Sequence, residues 1–330
     1  IIAKKIAKKW PAVKIYFVLN QGVAYLDTCP FEVLTTEKSA TKDSRGVTQI
    51  LERIKPDFVL FDASGRAEHF SKAKQLGAKV AFISQHDKKR SRGLKLNRLG
   101  LIDQHWVVQP TFAISPLNLY QRLKLKLLLR QQPKNVGAVF ERVAVEEKVD
   151  VLTKYQLPTE FFVFNAGSGG HKKSHQFCIE KFYEAAILFS EQSGMHCVVV
   201  LGQNYPKLLA NTKQVTCIKT LEHTDFIQLL MAASGRIVSA GGTVLQCIAL
   251  LLPSIAVAIS SDQPKRLKAC LKHNLVLASE LDAHAMVDAC KQLLQASTYQ
   301  ELEDNMVSHR TGDALSTIID DIAQMLVLSH

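Results

Sequence analysis

Two short glycine-rich segments hold the residues whose types and spacing best suit chemistry on a phosphate. Their members are Gly167, Ser168, Gly169 and Gly170 in the first segment, and Gly241, Gly242 and Thr243 in the second. Each segment follows an apolar run typical of a strand and precedes a run typical of a helix. Glycine lets the backbone approach a phosphate closely, and a helix N-terminus supplies unpaired N–H groups and a positive dipole end. Together the segments predict a diphosphate site, whereas each alone also fits a tight strand-to-helix turn.

Three further polar side chains are expected beside these segments. Gln246 follows Thr243 by three residues, a spacing that fits two interpretations. One is a capping box with Thr243 as N-cap, and the other is an amide that points at a ligand from the first helical turn. Asp262 and Gln263 end the strand that follows the second segment. Because parallel strands end at one edge of a sheet, we expect this pair at the same edge as the glycines.

Candidates for acid–base catalysis lie mostly in the first half of the chain. Asp62 ends a predicted strand there, and His86 follows the end of another. Weaker candidates nearby are Glu68, His69 and Asp87. His171 follows the first glycine segment, where an imidazole could contact a departing diphosphate. For each of these residues the alternative is a solvated or structural side chain.

No metal site and no cofactor are expected. The seven cysteines are scattered without a C-x-x-C pair, and no Cys/His cluster has the spacing of zinc ligands. No Asp-x-Asp motif is present either. The pattern is typical of reduced core cysteines in a cytosolic protein.

The order of predicted elements indicates two successive α/β domains. Predicted strands lie at 13–19, 58–62, 79–83 and 105–108 in the first half, and at 161–164, 197–201, 215–218, 236–239 and 254–258 in the second. Helical patterns alternate with them, and residues 86–92 are predicted to be a charged loop. The fold class is therefore α/β, with two tandem Rossmann-like domains, 1–150 and 151–330, and a cleft between them. A helix near 313–328 is expected to pack back toward the first domain, whose first strand is expected upstream of residue 1.

The segment from Ala240 to Pro253 resembles the donor-binding signature of glycosyltransferase family 28, which includes the N-acetylglucosaminyltransferase that makes lipid II. It is also similar to the related UDP-sugar hydrolase of pseudaminic acid synthesis. The pair Asp262-Gln263 resembles the family's donor-sugar motif, and the loop at 167–170 resembles its diphosphate loop. The stretch around Leu221 resembles the part whose main chain contacts the base. The resemblance covers the second half well and the first half by element order alone.

This resemblance implies a GT-B enzyme that moves a sugar from a nucleotide-diphosphate donor, a UDP-sugar, to a lipid-linked or glycan acceptor without a metal. Gln246 stands where the family usually carries a Glu that holds the ribose hydroxyls. The family's N-terminal glycine loop is not in this sequence, so no general base is carried over. Two alternatives stay open: a UDP-sugar hydrolase or epimerase of the same fold, and a non-catalytic subunit that binds a nucleotide-sugar.

The net charge is divided unevenly along the chain. Residues 1–150 hold 27 Lys and Arg against 14 Asp and Glu, whereas residues 151–330 hold 14 against 16. This excess predicts an anionic partner for the first half: a membrane surface, a phosphorylated lipid or nucleic acid. Nucleic acid is disfavoured, because aromatic side chains do not interleave with the basic run as stacking platforms would.

The stretch 86–130 concentrates this charge, with ten Lys and Arg against two acids. From Leu119 to Arg130 leucines interleave with basic residues. This pattern fits either a patch that docks on anionic lipid or an amphipathic core helix with a solvated face. No apolar run reaches the roughly 18 residues that span a bilayer, and the first residues lack the pattern of a secretory signal. We therefore expect a cytoplasmic protein, peripheral on the inner face of the cytoplasmic membrane.

Overall fold

The computed structural model describes residues 1–23, 26, 29–141, 151–310 and 312–327. The chain forms two compact units, one of Ile1–Val139 with Gly312–His330 and the other of Phe140–Thr311. The domain boundary predicted at residue 150 lies outside the described residues. Each unit is an α/β structure with parallel strands, as the sequence predicted. In the described ranges, no helix has the length and apolar character needed to cross a membrane.

The regular elements are numbered in chain order. The strands are β1 (Tyr16–Asn20), β2 (Glu32–Thr36), β3 (Phe58–Asp62), β4 (Lys79–Ser84), β5 (Gln104–Val107), β6 (Lys134–Asn135), β7 (Phe161–Asn165), β8 (Lys172–Lys173), β9 (Gln176–Phe177), β10 (His196–Val200), β11 (Val215–Ile218), β12 (Gly235–Ser239), β13 (Ile255–Val257) and β14 (Leu277–Ser279). The helices are α1 (Ile2–Lys9), α2 (Ser44–Ile54), α3 (Ala67–Gln75), α4 (Asp87–Gly93), α5 (Leu96–Leu99), α6 (Leu119–Leu127), α7 (Val151–Lys154), α8 (Cys178–Ser193), α9 (His223–Ala232), α10 (Gly242–Ala249), α11 (Gln263–Lys272), α12 (Ala283–Leu293), α13 (Ala296–Ser308) and α14 (Ala314–Leu326).

The first unit is built on a parallel sheet of order β3-β4-β5-β6, with β1 and β2 as a separate parallel pair. The C-terminal helix α14 belongs to its core. Ile318 and Ile322 of α14 share a hydrophobic cluster with Trp106 of β5. The Trp106 Nε1 also donates a hydrogen bond to Asp321 Oδ2 at 2.7 Å. The predicted return of the C-terminal helix to the first domain is thereby confirmed.

Several elements of the first unit differ from the sequence-based prediction, among them α4 and β2. Residues 86–92 are not a loop, because α4 runs from Asp87 to Gly93. This charged run is helical because Arg90 turns inward, with 5% of its surface exposed. Asp87 in its first turn and Arg92 in its last also suit the helix dipole. Strand β2 was missed because its sequence, EVLTT, contains no continuous apolar run.

The second unit contains a six-stranded parallel sheet of order β11-β10-β7-β12-β13-β14. Numbered from its first strand, this order is 3-2-1-4-5-6, that of a doubly wound sheet. Strands β7 and β12 lie side by side at the centre, and every residue of both is buried. The winding direction reverses between these two strands, which makes their boundary the topological switch point of the sheet.

Helices α8 and α12 cover one face of this sheet. Phe182 and Phe189 of α8 and Met286 of α12 are fully buried in one cluster with Phe164 of β7. Burying one such side chain stabilises the folded state by about 1.5–3 kcal/mol. The loops at the sheet edge are therefore anchored by a closely packed core.

One imidazole of the first unit makes stability depend on pH. The His105 Nε2 lies 3.0 Å from Ser84 Oγ, and its ring packs edge-on against Phe82. Burial, aided by the charge of Arg90, lowers the pKa of His105 to about 3. In the unfolded chain His105 has an ordinary histidine pKa of about 6.5. Between that pH and about 3, the unfolded chain therefore binds a proton at His105 and the folded chain does not. The free energy of unfolding therefore falls as the pH drops from about 6.5 to about 3.

We predict that His105→Gln removes this contribution, which is at most about 1.4 kcal/mol of unfolding free energy per pH unit below pH 6.5. Both tryptophans, Trp10 and Trp106, belong to the first unit. Their fluorescence during urea unfolding at several pH values therefore reports on that unit. The control His284→Gln, at an exposed position, should behave as the wild type. An unchanged pH slope in His105→Gln would contradict the prediction.

Candidate functional site

The C-terminal edge of the second sheet collects the predicted site residues of the second half. Because all its strands are parallel, the loops after β7, β10, β11, β12 and β13 leave at the same edge. The first glycine segment follows β7, the second follows β12, and these strands are hydrogen-bonded neighbours. The two segments therefore flank the switch point, where open α/β sheets bind ligands.

A serine hydroxyl lies between the two glycine segments. Ser239 is the last residue of β12 and is 3% exposed. Its Oγ lies 3.1 Å from the position that a Cβ would take on Gly167, and 3.5 Å from that position on Gly241. Gly167 also has a φ of +69°, so a side chain there would be strained and would press on the hydroxyl.

The first segment is held by the amide of Asn165, at the end of β7. The Asn165 Oδ1 accepts from the Gly167 N–H at 2.9 Å, while Nδ2 donates to the Gly167 and Val200 carbonyls at 3.2 and 3.0 Å. Asn165 is 4% exposed, so this amide is committed to the backbone. Because the Gly167 N–H is already bonded, any phosphate contact in this segment uses other donors.

Gly169 and Gly202 let the loops after β7 and β10 touch backbone to backbone. A Cβ on Gly169 would lie 2.1 Å from the Leu201 carbonyl oxygen, and one on Gly202 would lie 2.3 Å from the Ser168 carbonyl carbon. Both glycines have positive φ, and the Asn204 N–H donates to the Ser168 carbonyl at 2.9 Å. Packing alone therefore requires glycine at these two positions.

The first segment does not open a helix, which corrects the sequence-based prediction. Strands β8 and β9 form a short antiparallel hairpin after it, and α8 begins only at Cys178. Ser174 and His175, both with positive φ, make the hairpin turn. The hairpin separates Gly170 from α8 in sequence, although the Cys178 N–H at the start of that helix donates to the His171 carbonyl at 2.9 Å.

The second segment does open a helix, since α10 begins at Gly242 with Gly241 as its N-cap. No side chain caps it, and Thr243 lies inside the helix, so the predicted capping box is wrong. The first N–H groups of α10 have no partner within the helix. A Cβ on Gly242 would meet no atom within 4 Å, which shows open space at this N-terminus.

Two side chains of α11 reach the second segment. Gln263 is 4% exposed; its Oε1 accepts from the Ile259 N–H at 2.8 Å, and its Nε2 lies 3.5 Å from the Cβ position of Gly241. The Arg266 Nη1 donates to the Ala240 carbonyl at 2.8 Å. Sequence reasoning missed Arg266, although its spacing of three residues from Gln263 places both on one helix face.

Asp262 and His171 are near enough for their charges to interact. The Asp262 carboxylate accepts from the Ser260 hydroxyl at 2.6 Å. This hydrogen bond chiefly, and the charges of Arg266 and His171 in addition, lower the pKa of Asp262. Asp262 and His171 are both exposed.

Gln246 contacts a histidine that sequence reasoning missed. The Gln246 Nε2 lies 3.4 Å from His223 Nε2, where an amide N–H can donate only to an unprotonated ring nitrogen. His223 is the first residue of α9 and follows Leu221 by two positions. The contact joins the loop after β11 to α10. The two residues are 23 positions apart in the sequence, so no short-range spacing predicts it.

The catalytic candidates of the first unit lie at the C-terminal edge of its four-stranded sheet. Asp62 ends β3, and its Oδ1 accepts from Gln85 Nε2 at 2.6 Å. His86 follows β4 as the N-cap residue of α4. Both residues are exposed, so solvent can exchange protons with them.

The weaker candidates have structural contacts. His69 is 1% exposed and lies 3.2 Å from Ser44 Oγ, and burial lowers the pKa of His69. The Ser44 hydroxyl donates to Glu68. Asp87 accepts from the N–H and the hydroxyl of Ser115 at 3.1 and 2.9 Å. Within the part of the chain that the structure describes, no three His, Cys, Asp or Glu side chains group as a metal site would require.

Solved structures match this chain along nearly its whole length, although no protein-family model and no curated protein matches it. The glycotransferase of kitacinnamycin superposes with a TM-score of 0.63 at 13% identity, covering 98% of this chain and 94% of that one. A putative UDP-N-acetylglucosamine 2-epimerase from Listeria monocytogenes gives 0.61 at 12% identity, covering 100% and 93%. The S. aureus MnaA–UDP co-structure gives 0.59 at 15% identity, covering 96% and 97%.

At these identities the matches concern the fold. They confirm the predicted fold class, because all three superpose on both Rossmann-like units of this chain. The predicted likeness to GT-B glycosyltransferases is confirmed at the same level. The chain therefore has a GT-B-like fold, one that glycosyltransferases and UDP-N-acetylglucosamine 2-epimerases share.

Proposed function

We propose that this protein is a glycosyltransferase that uses a UDP-sugar and binds its diphosphate at the switch point of the second sheet. The main support is that two glycine segments meet at Ser239, beside the open N-terminus of α10. This geometry offers N–H groups and close backbone approach, which a diphosphate needs. The choice of UDP is supported by the S. aureus neighbour, whose structure contains UDP.

Three groups supply positive potential to the diphosphate in this proposal. The first-turn N–H groups of α10, beginning at Gly242 and Thr243, donate directly. Arg266 already contacts the Ala240 carbonyl, so its guanidinium lies beside the same loop. His171 directly follows the first glycine segment, so its imidazole is offered to the diphosphate from the loop after β7. Such preorganised donors stabilise the negative charge that develops on the leaving diphosphate.

The remaining predicted residues divide between the nucleoside and the sugar. Gln246 reaches the ribose from one turn into α10, together with His223, and the main chain near Leu221 contacts the base. Asp262 and Gln263 hold the donor sugar. Gln263 suits this role because its Oε1 is fixed by the Ile259 N–H, which sets the orientation of the amide.

The reaction breaks the bond between the anomeric carbon and the diphosphate oxygen, and forms a bond from that carbon to an acceptor hydroxyl. The acceptor is a glycan or a lipid-linked intermediate. The hydroxyl proton passes to a general base, for which the carboxylate of Asp62 and the imidazoles of His86 and His171 are the candidates. Because Arg266 and the helix N-terminus balance the leaving charge, we propose that no divalent cation is needed.

A second candidate is hydrolysis or epimerisation of the UDP-sugar, which the epimerase neighbour favours. Incubation with UDP-sugars alone separates the two reactions. Release of free sugar at the rate of UDP formation, or conversion of the UDP-sugar into its epimer without net formation of UDP, supports the second candidate. Turnover that requires an added acceptor supports the transferase. UDP binding without turnover under either condition supports a non-catalytic nucleotide-sugar-binding subunit.

We predict that calorimetry with UDP detects binding by the wild type and by Gly242→Ala, but not by Gly242→Asp. Alanine places a methyl group in open space, whereas aspartate places a carboxylate against the diphosphate. Thermal unfolding should be nearly the same for both variants, because neither contacts the core. If the wild type ignores UDP, GDP, ADP and CMP alike, the donor-site proposal is wrong.

Replacing Arg266 tests the cationic group that the sequence did not reveal. Arg266→Gln should weaken UDP binding about tenfold or more, the effect of one hydrogen bond to a charged group. Arg266→Lys should lose less affinity for UDP than Arg266→Gln, because lysine keeps the positive charge but not the planar pair of N–H donors. Lys268→Gln, an exposed position on the same helix, is the charge-matched control. Equal affinities for Arg266→Gln and Lys268→Gln would remove Arg266 from the site.

We predict that Gln246 contributes to UDP binding through hydrogen bonds with the ribose hydroxyls. Gln246→Ala should weaken UDP binding about fivefold, the scale of one neutral hydrogen bond of about 1 kcal/mol. Gln246→Glu should bind more tightly than the wild type through charge-assisted bonds. With 2′,3′-dideoxy-UDP both differences should vanish, and the exposed Gln292→Ala should match the wild type throughout. Differences that persist with the dideoxy compound would place Gln246 elsewhere.

A further inference from the structure

The first unit exposes leucines along helix α6. Leu119, Leu123 and Leu127 follow one another at four-residue spacing and are 82%, 52% and 72% exposed. Leu125, on the opposite face, is 2% exposed and packs with Leu94. The interpretation of this stretch as an amphipathic core helix with a solvated polar face is therefore wrong, because most of its leucines point away from the core.

The exposed apolar side chains lie close together in sequence, along α6 and just beyond its last residue. We call the following set the leucine surface: Leu119, Tyr120, Leu123, Leu127, Leu128 and Leu129. Leu129 is 93% exposed, and its φ of +48° marks the end of the helical run. A group of exposed apolar side chains, unlike a single one, indicates a surface that binds a membrane or another molecule.

Basic side chains surround the leucine surface without opposing acids. Arg122, Lys126 and Arg130 are exposed on the same segment. Between residues 88 and 135 the sequence contains one acid, Asp103, and it pairs with Lys74 at 2.9 Å. The positive charge around α6 is therefore available to an external anion.

A cavity of about 390 Å³ lies beside α6 and is lined by Arg90 and Arg122. Its other polar lining residues are Thr111, Ser115, Gln132 and Asn135. Arg90 is 5% exposed, and among the described residues its Nε has no hydrogen-bond partner. Asp87 balances part of its charge at 3.4 Å, and Arg122 adds a second guanidinium. Guanidinium groups suit the oxygens of a phosphate, and the volume is that of a small-molecule site.

We propose that this face of the first unit docks on an anionic lipid bilayer, with the leucine surface inserted at the headgroup boundary and a lipid phosphate in the Arg90–Arg122 cavity. Apolar side chains ringed by unopposed cations fit a surface that is apolar beneath an anionic layer. Arg122 belongs both to α6 and to the cavity lining, so insertion of the helix brings the cavity to the depth of the phosphates. The proposal does not rest on nucleotide binding by the second unit.

Sedimentation of the whole protein with vesicles tests this proposal. We expect binding to mixed phosphatidylcholine–phosphatidylglycerol vesicles, little binding to phosphatidylcholine alone, and weakening by added salt. Leu123→Ser with Leu127→Ser should lower the partition coefficient at least about tenfold, because two inserted leucines are lost. Leu208→Ser removes a leucine that is 77% exposed in the second unit. It is the matched control and should bind as the wild type.

A second pair of variants tests the cavity. Arg122→Gln and Lys126→Gln each remove one charge from α6, but only Arg122 lines the cavity. If a lipid phosphate binds in the cavity, Arg122→Gln should weaken vesicle binding clearly more than Lys126→Gln does. Equal weakening by the two variants would indicate a diffuse surface charge and would overturn the cavity assignment.

Two results would overturn the membrane proposal itself. One is that the wild type does not bind anionic vesicles. The other is that the variant with Leu123→Ser and Leu127→Ser binds them as strongly as Leu208→Ser does. If the double-leucine change instead abolishes self-association of the protein in vesicle-free buffer, a second copy covers the surface. UDP calorimetry and thermal unfolding of the same variants show whether they fold. A wild type that binds vesicles but not UDP would contradict only the proposed function.

Discussion

The adjacency of β7 and β12 is the constraint on which the candidate site depends. The sheet winds outward in both directions from this boundary, so the loops after the two strands are left with a crevice between them. Both loops are glycine-rich, and a Cβ added to Gly167 or to Gly241 would lie within van der Waals distance of the Ser239 hydroxyl. A different strand order would leave the same glycines on separate parts of the sheet edge.

The two glycine segments serve this crevice in different ways. The first is rigid: Asn165 fixes the carbonyl and the N–H of Gly167, and Gly169 packs against the next loop. The second is open, since Gly242 has no atom near its Cβ position and starts a helix. A rigid wall beside an open helix N-terminus is a suitable receptor for a diphosphate, because the wall limits its position and the helix supplies the donors.

Sequence patterns predicted the strands of the site but not all of its contacts. Strands such as β7 were predictable because a strand buried on both faces must be largely apolar. The hairpin after Gly170 was not, because two-residue strands carry no periodicity. Arg266 escaped prediction because its partner is a backbone carbonyl, which leaves no mark in a sequence. The outward leucines of α6 escaped because leucines occupy both faces, and periodicity cannot show which face meets a core.

The charge distribution separates the two anion-binding surfaces that we propose. Residues 151–330 carry slightly more acids than bases, yet they contain the crevice with the glycine segments. The proposed anion binding there would depend on directed donors and on individual cations such as Arg266, which act at short range and are weakened little by salt. The basic excess of residues 1–150 contributes nothing to such directed contacts. Its concentration around α6, beside exposed leucines, instead suits a long-range attraction that salt weakens and that needs no exact geometry.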